Sequence, residues 1–246
     1  DFENGEIVRT FEYTNRNGKT IRAESTRIVN IERPHSAEIR FSVTAVNFDG
    51  EVEIRSAVVK NTPINGKMTT FTVSESVHSG DFVLETRTKR TAMDVAAAIS
   101  HRVTAADFGE EVNNSENEYV YIVKFNMKSG DKAVVEKYAS FYSTADNAKN
   151  IRGLAVEETC RNAADGFDVL EDEQGAAWAR HWQNGDVIIE GNKADRQAVR
   201  LSLFHLRSQL PTVNNASIGA TGLTGANYSG KVFWDTEMYL MPYYLF

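Results

Sequence analysis

The sequence predicts an antiparallel β-sandwich leading into a helical region, and three observations carry that prediction. Residues 37–45 and 51–55 alternate apolar and polar side chains with a period of two, the mark of a sheet with one covered face. Turn signals recur between such runs, at Asn17-Gly18, Asp49-Gly50 and Ser129-Gly130. Beyond residue 147 the alternation gives way to helical spacing, with Trp178 and Trp182 four apart on one helix face. Strands in one run and helices in the next build segregated layers or separate domains, not an alternating α/β sheet.

Each element follows from its residues. In 37–45, Ile39, Phe41 and Val43 share one face and Glu38, Arg40, Ser42 and Thr44 the other, which predicts a half-buried strand. Residues 51–55 repeat the pattern, and 81–91, 119–127 and 132–143 are further strands. The basic residues between 87 and 90, interleaved with Thr86 and Thr88, read as the solvated face of a strand. Past residue 147, Leu154, Val156, Cys160, Ala163, Ala164 and Phe167 form a stripe expected to pack inward. Asn184-Gly185-Asp186 is a break, and 187–189 run extended. Asn192 is a helix N-cap, with Asp195 favourable in the first turn. The helix from 193 to about 209 is apolar on most faces between Ala198 and Leu206, which predicts an inner, buried helix closed by Pro211.

Composition bounds the function. A chain of 246 residues, 41% hydrophobic and 25% charged, can bury one large or two modest cores. Its net charge of −7 argues against a nucleic-acid or anionic-membrane surface. The single cysteine, Cys160, excludes an intrachain disulfide and is expected to be inert packing. This suits a reducing cytoplasm but also many exported bacterial proteins, so the compartment stays open between cytoplasm and periplasm. No apolar run reaches membrane-spanning length, and 238–246 is short and interrupted by Pro242. The chain opens on Asp1 without a signal-peptide pattern and stops inside an aromatic run, so it reads as part of a longer protein.

The densest chemistry lies near the C-terminal end. Gly219, Gly222, Gly225 and Gly230 lead into Phe233, Trp234, Asp235, Thr236 and Glu237. Glycines let a loop turn tightly and pass close to a ligand. A Trp beside an Asp offers an apolar wall for sugar C–H faces and an acceptor for hydroxyls. On residue types alone, a surface loop feeding a helix whose Trp is core, with Asp235 as its cap, explains the segment better. His35, His78, His101, His181 and His205 show no metal spacing, and His205 reads as a core histidine. The acidic run 171–173 is a solvated helix end, not a calcium loop, and no phosphate-binding or dinucleotide fingerprint is present.

The segment from Gly219 to Glu237 resembles the signature of glycoside hydrolase family 65, the maltose, trehalose and kojibiose phosphorylases and related hydrolases. The resemblance extends through Gln197-Ala-Val-Arg-Leu-Ser-Leu-Phe-His-Leu206 and Asp186-Val-Ile-Ile-Glu-Gly191. It runs more weakly through Ser25-Thr-Arg-Ile-Val29 and Lys137-Tyr-Ala-Ser-Phe-Tyr-Ser-Thr144. It implies an α+β multidomain architecture: a β-sandwich over 1–144, a helical linker over 145–191, and over 192–246 the opening segment of an (α/α)6 barrel. It implies that Trp234 walls the −1 subsite and that Asp235 accepts from the glucosyl hydroxyls. The family's general acid is a Glu expected beyond Phe246, so Glu237 is not assigned that role. Lys231 stands where several members carry His. The implied activity is inverting phosphorolysis or hydrolysis of an α-linked glucosyl disaccharide, with inorganic phosphate as co-substrate in a phosphorylase and no redox or metal cofactor. The expected partner is a small α-glucoside or disaccharide, with no nucleic acid and no membrane, and a homodimer is left open. A non-catalytic carbohydrate-binding or assembly module is the second reading.

Overall fold

A computed structural model of the protein describes residues 1–60, 63, 66–211, 216–222, 228 and 231–245. The chain divides into two units, one of residues 6–174 with Asp1, the other of residues 2–5 with 175–246.

The first unit is a sandwich of two antiparallel sheets. Its strands are β1 (Glu6–Thr14), β2 (Thr20–Val29), β3 (Ser36–Ala45), β4 (Gly50–Val59), β5 (Thr70–His78), β6 (Asp81–Thr88), β7 (Asp94–Thr104), β8 (Phe108–Asn114), β9 (Glu118–Met127) and β10 (Lys132–Ser143). The large sheet runs β1-β2-β3-β10-β7-β6-β5 and the small one β4-β9-β8. Two of the expected turns appear, at Asn17-Gly18 and Ser129-Gly130, whereas at Asp49-Gly50 the glycine already belongs to β4, paired with Met127, because the chain crosses there from one sheet to the other. Between Thr14 and Thr20, Asn15 Oδ1 accepts from the amides of Asn17 and Lys19, and Gly18 takes φ +76°. A tighter turn joins β5 to β6, where Ser79 and Gly80 both adopt positive φ, 47° and 87°, as a two-residue hairpin requires.

Between the sheets lies the main core, built from Val43, Phe82, Tyr119, Tyr121, Val123, Phe125 and Val135. The other face of the large sheet is covered as well. Helix α1 (Ile151–Asp165) packs on β7 and β10, and Phe167 and Leu170 at the start of α2 (Phe167–Gly185) pack on Ile28 and Tyr138.

That second cover corrects the half-buried reading of residues 37–45. Glu38 and Ser42, assigned to a solvent face, are 0% and 6% exposed. It also corrects the α1 stripe. The buried face carries Ile151, Ala155, Glu158, Thr159 and Asn162, while Cys160 and Val156 are exposed. The reason is that the sheet beneath offers polar partners. Tyr142 donates to Glu158 at 2.9 Å, Thr159 donates to the carbonyl of Ala98 at 3.2 Å, and Arg33 donates to Asn162 at 2.7 Å. A helix facing such a surface buries polar residues, which an apolar-periodicity reading misses. The basic run is shared between strand and turn, since β6 ends at Thr88 and residues 89–92 turn back into β7.

In the second unit, Trp178 stacks on Trp182 at 5.6 Å and on Phe204 at 4.6 Å. Phe204 belongs to α3 (Lys193–Ser208), whose N-cap is Asn192, accepting from the amide of Ala194. Residues 2–5 are pinned here. Trp182 Nε1 donates to the carbonyl of Phe2 at 2.8 Å, and Arg200 pairs with both Asp186 and Glu3. The inner, buried helix expected over 193–209 is not observed. No residue of α3 is buried, His205 is half-buried rather than core, and Leu201 is 39% exposed. Phe204 packs on Trp178 and Phe2, and among the described residues nothing covers Ala198 and Leu201, which stay exposed.

Candidate functional site

The glycine-bearing segment is tied by its backbone to the Trp-Asp segment. Gly222 donates to the carbonyl of Gly219 at 2.9 Å with φ +53°, a conformation that suits glycine. Ala220 donates to the carbonyl of Lys231 at 3.2 Å, and Lys231 to that of Tyr228 at 3.0 Å. Ile218 is buried, and its carbonyl accepts from the hydroxyl of Thr236 at 3.2 Å. Tyr228 meets Phe233 edge-on at 5.6 Å. Gly225 and Gly230 lie outside the described residues, as does the side chain of Glu237.

These contacts hold Trp234 and Asp235 at the head of a helical stretch, a π-type turn Thr236–Leu240 followed by α4 (Met241–Leu245). Trp234 is 71% exposed, so it is not the core residue that residue type alone suggested. Asp235 is exposed, has helical backbone angles and makes no side-chain capping bond, so it does not serve as a helix cap. Trp234's carbonyl accepts from the amide of Met238 at 3.3 Å, which anchors the backbone and leaves the indole uncommitted. Among the described residues the pair offers an exposed aromatic face and a carboxylate without a side-chain partner, a combination able to hold a polyol. Lys231, beside them in sequence, is exposed.

The other candidate groups are structural. His101, in β7, contacts Ser56 Oγ at 2.9 Å and the carbonyl of Gly80 at 3.3 Å, and burial lowers its pKa to about 4. His35 stacks on Tyr142 at 3.9 Å. Among the described residues no cluster of His, Cys, Asp or Glu is arranged to hold a metal ion, and no helix is long and apolar enough to cross a membrane. The most deeply buried charged residues, Glu38 and Lys60, carry no motif and were not singled out by sequence reading. A Lys closing the alternating run 50–59 was the one available signal for the second.

Residues 1–181 match the model of the glycosyl hydrolase family 65 N-terminal domain, and residues 200–246 that of the family's central catalytic domain. An α,α-trehalose phosphorylase of Thermoanaerobacter brockii is 32% identical over all of this chain and 34% of its own length. A kojibiose phosphorylase of Caldanaerobacter subterraneus is 28% identical over the same share. A solved structure assigned as a kojibiose phosphorylase from the human microbiome superposes with a TM-score of 0.89 at 21% identity, covering all of this chain and 33% of that one. The chain thus spans about a third of the length of the relatives it matches. With 181 of its 246 residues matched by one domain model and most of the remainder by the next, the chain belongs to glycosyl hydrolase family 65.

Proposed function

We propose that the protein carrying this chain is an inverting glycoside phosphorylase or hydrolase of α-linked glucosyl disaccharides, with Trp234 and Asp235 in its −1 subsite. Family membership supports the class, and the carrying observation is the pair itself. Both side chains are exposed, and among the described residues neither makes a hydrogen bond or ion pair, on a backbone held by the glycine-bearing segment. In this reading residues 1–144 are the sandwich domain, 145–191 a linker and 192–246 the opening of the barrel. Trp234 packs on the C–H face of the glucosyl ring. Asp235 accepts from its hydroxyls, and those bonds strengthen as the ring gains oxocarbenium character. In this reading the family's acid Glu is supplied by the longer protein beyond Phe246, and this chain contributes binding and not proton transfer. Phosphate, or a base-activated water, attacks from the opposite face, with no metal or redox cofactor called upon.

Kinetics on the longer protein with maltose, trehalose and kojibiose, with and without phosphate, test the reading. Hydrogen bonds to a charged group contribute roughly 1.5–3 kcal/mol each, so Asp235→Ala should lower kcat/KM at least about tenfold. The melting temperature should not change, because Asp235 caps nothing. Unaltered kcat/KM would remove Asp235 from the subsite. Purified 1–246 should release neither glucose nor glucose 1-phosphate, and release by it would overturn the division of labour.

A further inference from the structure

One end of the sandwich, far along the chain from Trp234, holds a cavity of about 640 Å³ between β5 and the β8–β9 turn. Its floor is a buried charged residue. Lys60, directly after β4, has a side chain only 1% exposed. Burying an ammonium is unfavourable unless it is fully paired. Lys60 Nζ donates to Glu75 Oε2 at 2.7 Å and to the carbonyl of Ser115 at 2.6 Å, and lies 5.6 Å from the centre of the Phe82 ring. Asn114 Nδ2 donates to the other oxygen of Glu75 at 3.0 Å. The carboxylate is thereby fixed in orientation, and its pKa is lowered by the bonds from Lys60 and Asn114. Its side chain remains 32% exposed toward the cavity, and among the described residues each oxygen keeps a lone pair to offer.

The rest of the lining selects the ligand. Phe71 on β5 is 44% exposed and offers an aromatic face. Lys89 and Glu116 add one charge of each sign, so two cations oppose two carboxylates. A charge-balanced wall gives neither an anion nor a cation a net attraction. What it suits is a neutral molecule with many hydroxyls and one apolar face, and the volume falls in the range of small-molecule sites. We propose that this cavity is a saccharide-binding site, with Phe71 as the stacking platform, Glu75 as the preorganised acceptor and Asn114 as the amide that both orients Glu75 and meets the sugar. Neither Trp234 nor Asp235 lines it, and it does not depend on their assignment.

Protein-observed NMR on the 246-residue chain reads this directly, with maltose as the probe. Saturable shifts are expected at the amides of Phe71, Asn114 and Ser115, with a dissociation constant on the order of 1–10 mM. Phe71→Ala should weaken them by roughly five- to tenfold, the scale of one aromatic contact. Asn114→Ala should also weaken them. Both residues are exposed, so folded spectra are expected from each variant. Trp234→Ala should leave these shifts unchanged, which separates this site from the proposed subsite. The proposal fails if maltose at about 50 mM moves none of these amides. It fails equally if Trp234→Ala abolishes the shifts, if Phe71→Ala and Asn114→Ala leave them intact, or if inorganic phosphate produces them and maltose does not.

Discussion

Replacing Glu38 by Gln should make the sandwich less sensitive to pH, and by a calculable amount. Glu38 lies on β3 beneath α1 with no exposed surface. Its Oε1 receives a long bond from Asn162 at 3.4 Å, and its Oε2 has no partner among the described residues. Burial pushes its pKa up to about 7, with Glu158 and Glu173 adding to the rise and Ser36 and Arg33 opposing it. A carboxyl whose folded pKa exceeds its unfolded one binds its proton more tightly in the folded state. Its contribution is therefore complete below the ordinary value of 4.5 and is lost as pH rises through 7. At about 1.4 kcal/mol per pH unit, the span from 4.5 to 7 amounts to roughly 3 kcal/mol. Glu38→Gln keeps the shape and removes the titration. Urea unfolding of both proteins should give similar stabilities near pH 5 and an advantage of roughly 2–3 kcal/mol for the variant near pH 8. The reasoning is refuted if the difference between the two stays flat across that range, or if the variant loses ground as pH rises.

Three further outcomes follow from other contacts. Arg33 joins Asp165 at 2.7 Å and Glu173 at 2.6 Å with its side chain 16% exposed, so Arg33→Met should cost roughly 1–3 kcal/mol in chemical denaturation, the partly exposed carboxylates tempering the loss. His101, held near 4 by burial, should show ring-proton NMR shifts that stay flat from about pH 8 down to pH 5. A folded pKa below the ordinary 6.5 means that its contribution to stability is present above 6.5 and lost as pH falls toward 4. Gly80→Ala places a Cβ 2.9 Å from the Tyr121 ring at φ +87°, so it should lower stability by roughly 2 kcal/mol or more, read as a drop in melting temperature.

Strand positions and turns were legible because their signals are local. Asn17-Gly18 makes its turn whatever lies elsewhere, and the alternation through Phe41 and Val43 points them at the inter-sheet core. Less legible was what happens on the opposite face of the same strand. Alternation reports that two faces differ in polarity, not that the polar one is dry. Asn162 over Glu38, and Arg33 between Asp165 and Glu173, are contacts across more than a hundred residues, invisible to any window of sequence. The candidate site divides the same way. Trp234 and Asp235 stand out in the sequence as a motif, yet residue type alone pointed to a core Trp and a capping Asp, and both are exposed.

By itself, then, the sequence determined the change from strands to helices, several of the strands, the turns at Asn17-Gly18 and Ser129-Gly130 and the family signature at the C-terminal end, since each is written in neighbouring residues, while β5, β7 and β8 went unread. Only the tertiary structure decided which polar groups leave water. Lys60 meets Glu75 because β4 and β5, adjacent in the chain, enter different sheets that face each other. Glu38 is enclosed because β10, nearly a hundred residues later, pairs with β3 and brings a helix down over it. Burial is a property of the packed whole, set by long-range pairing, and no local period encodes it.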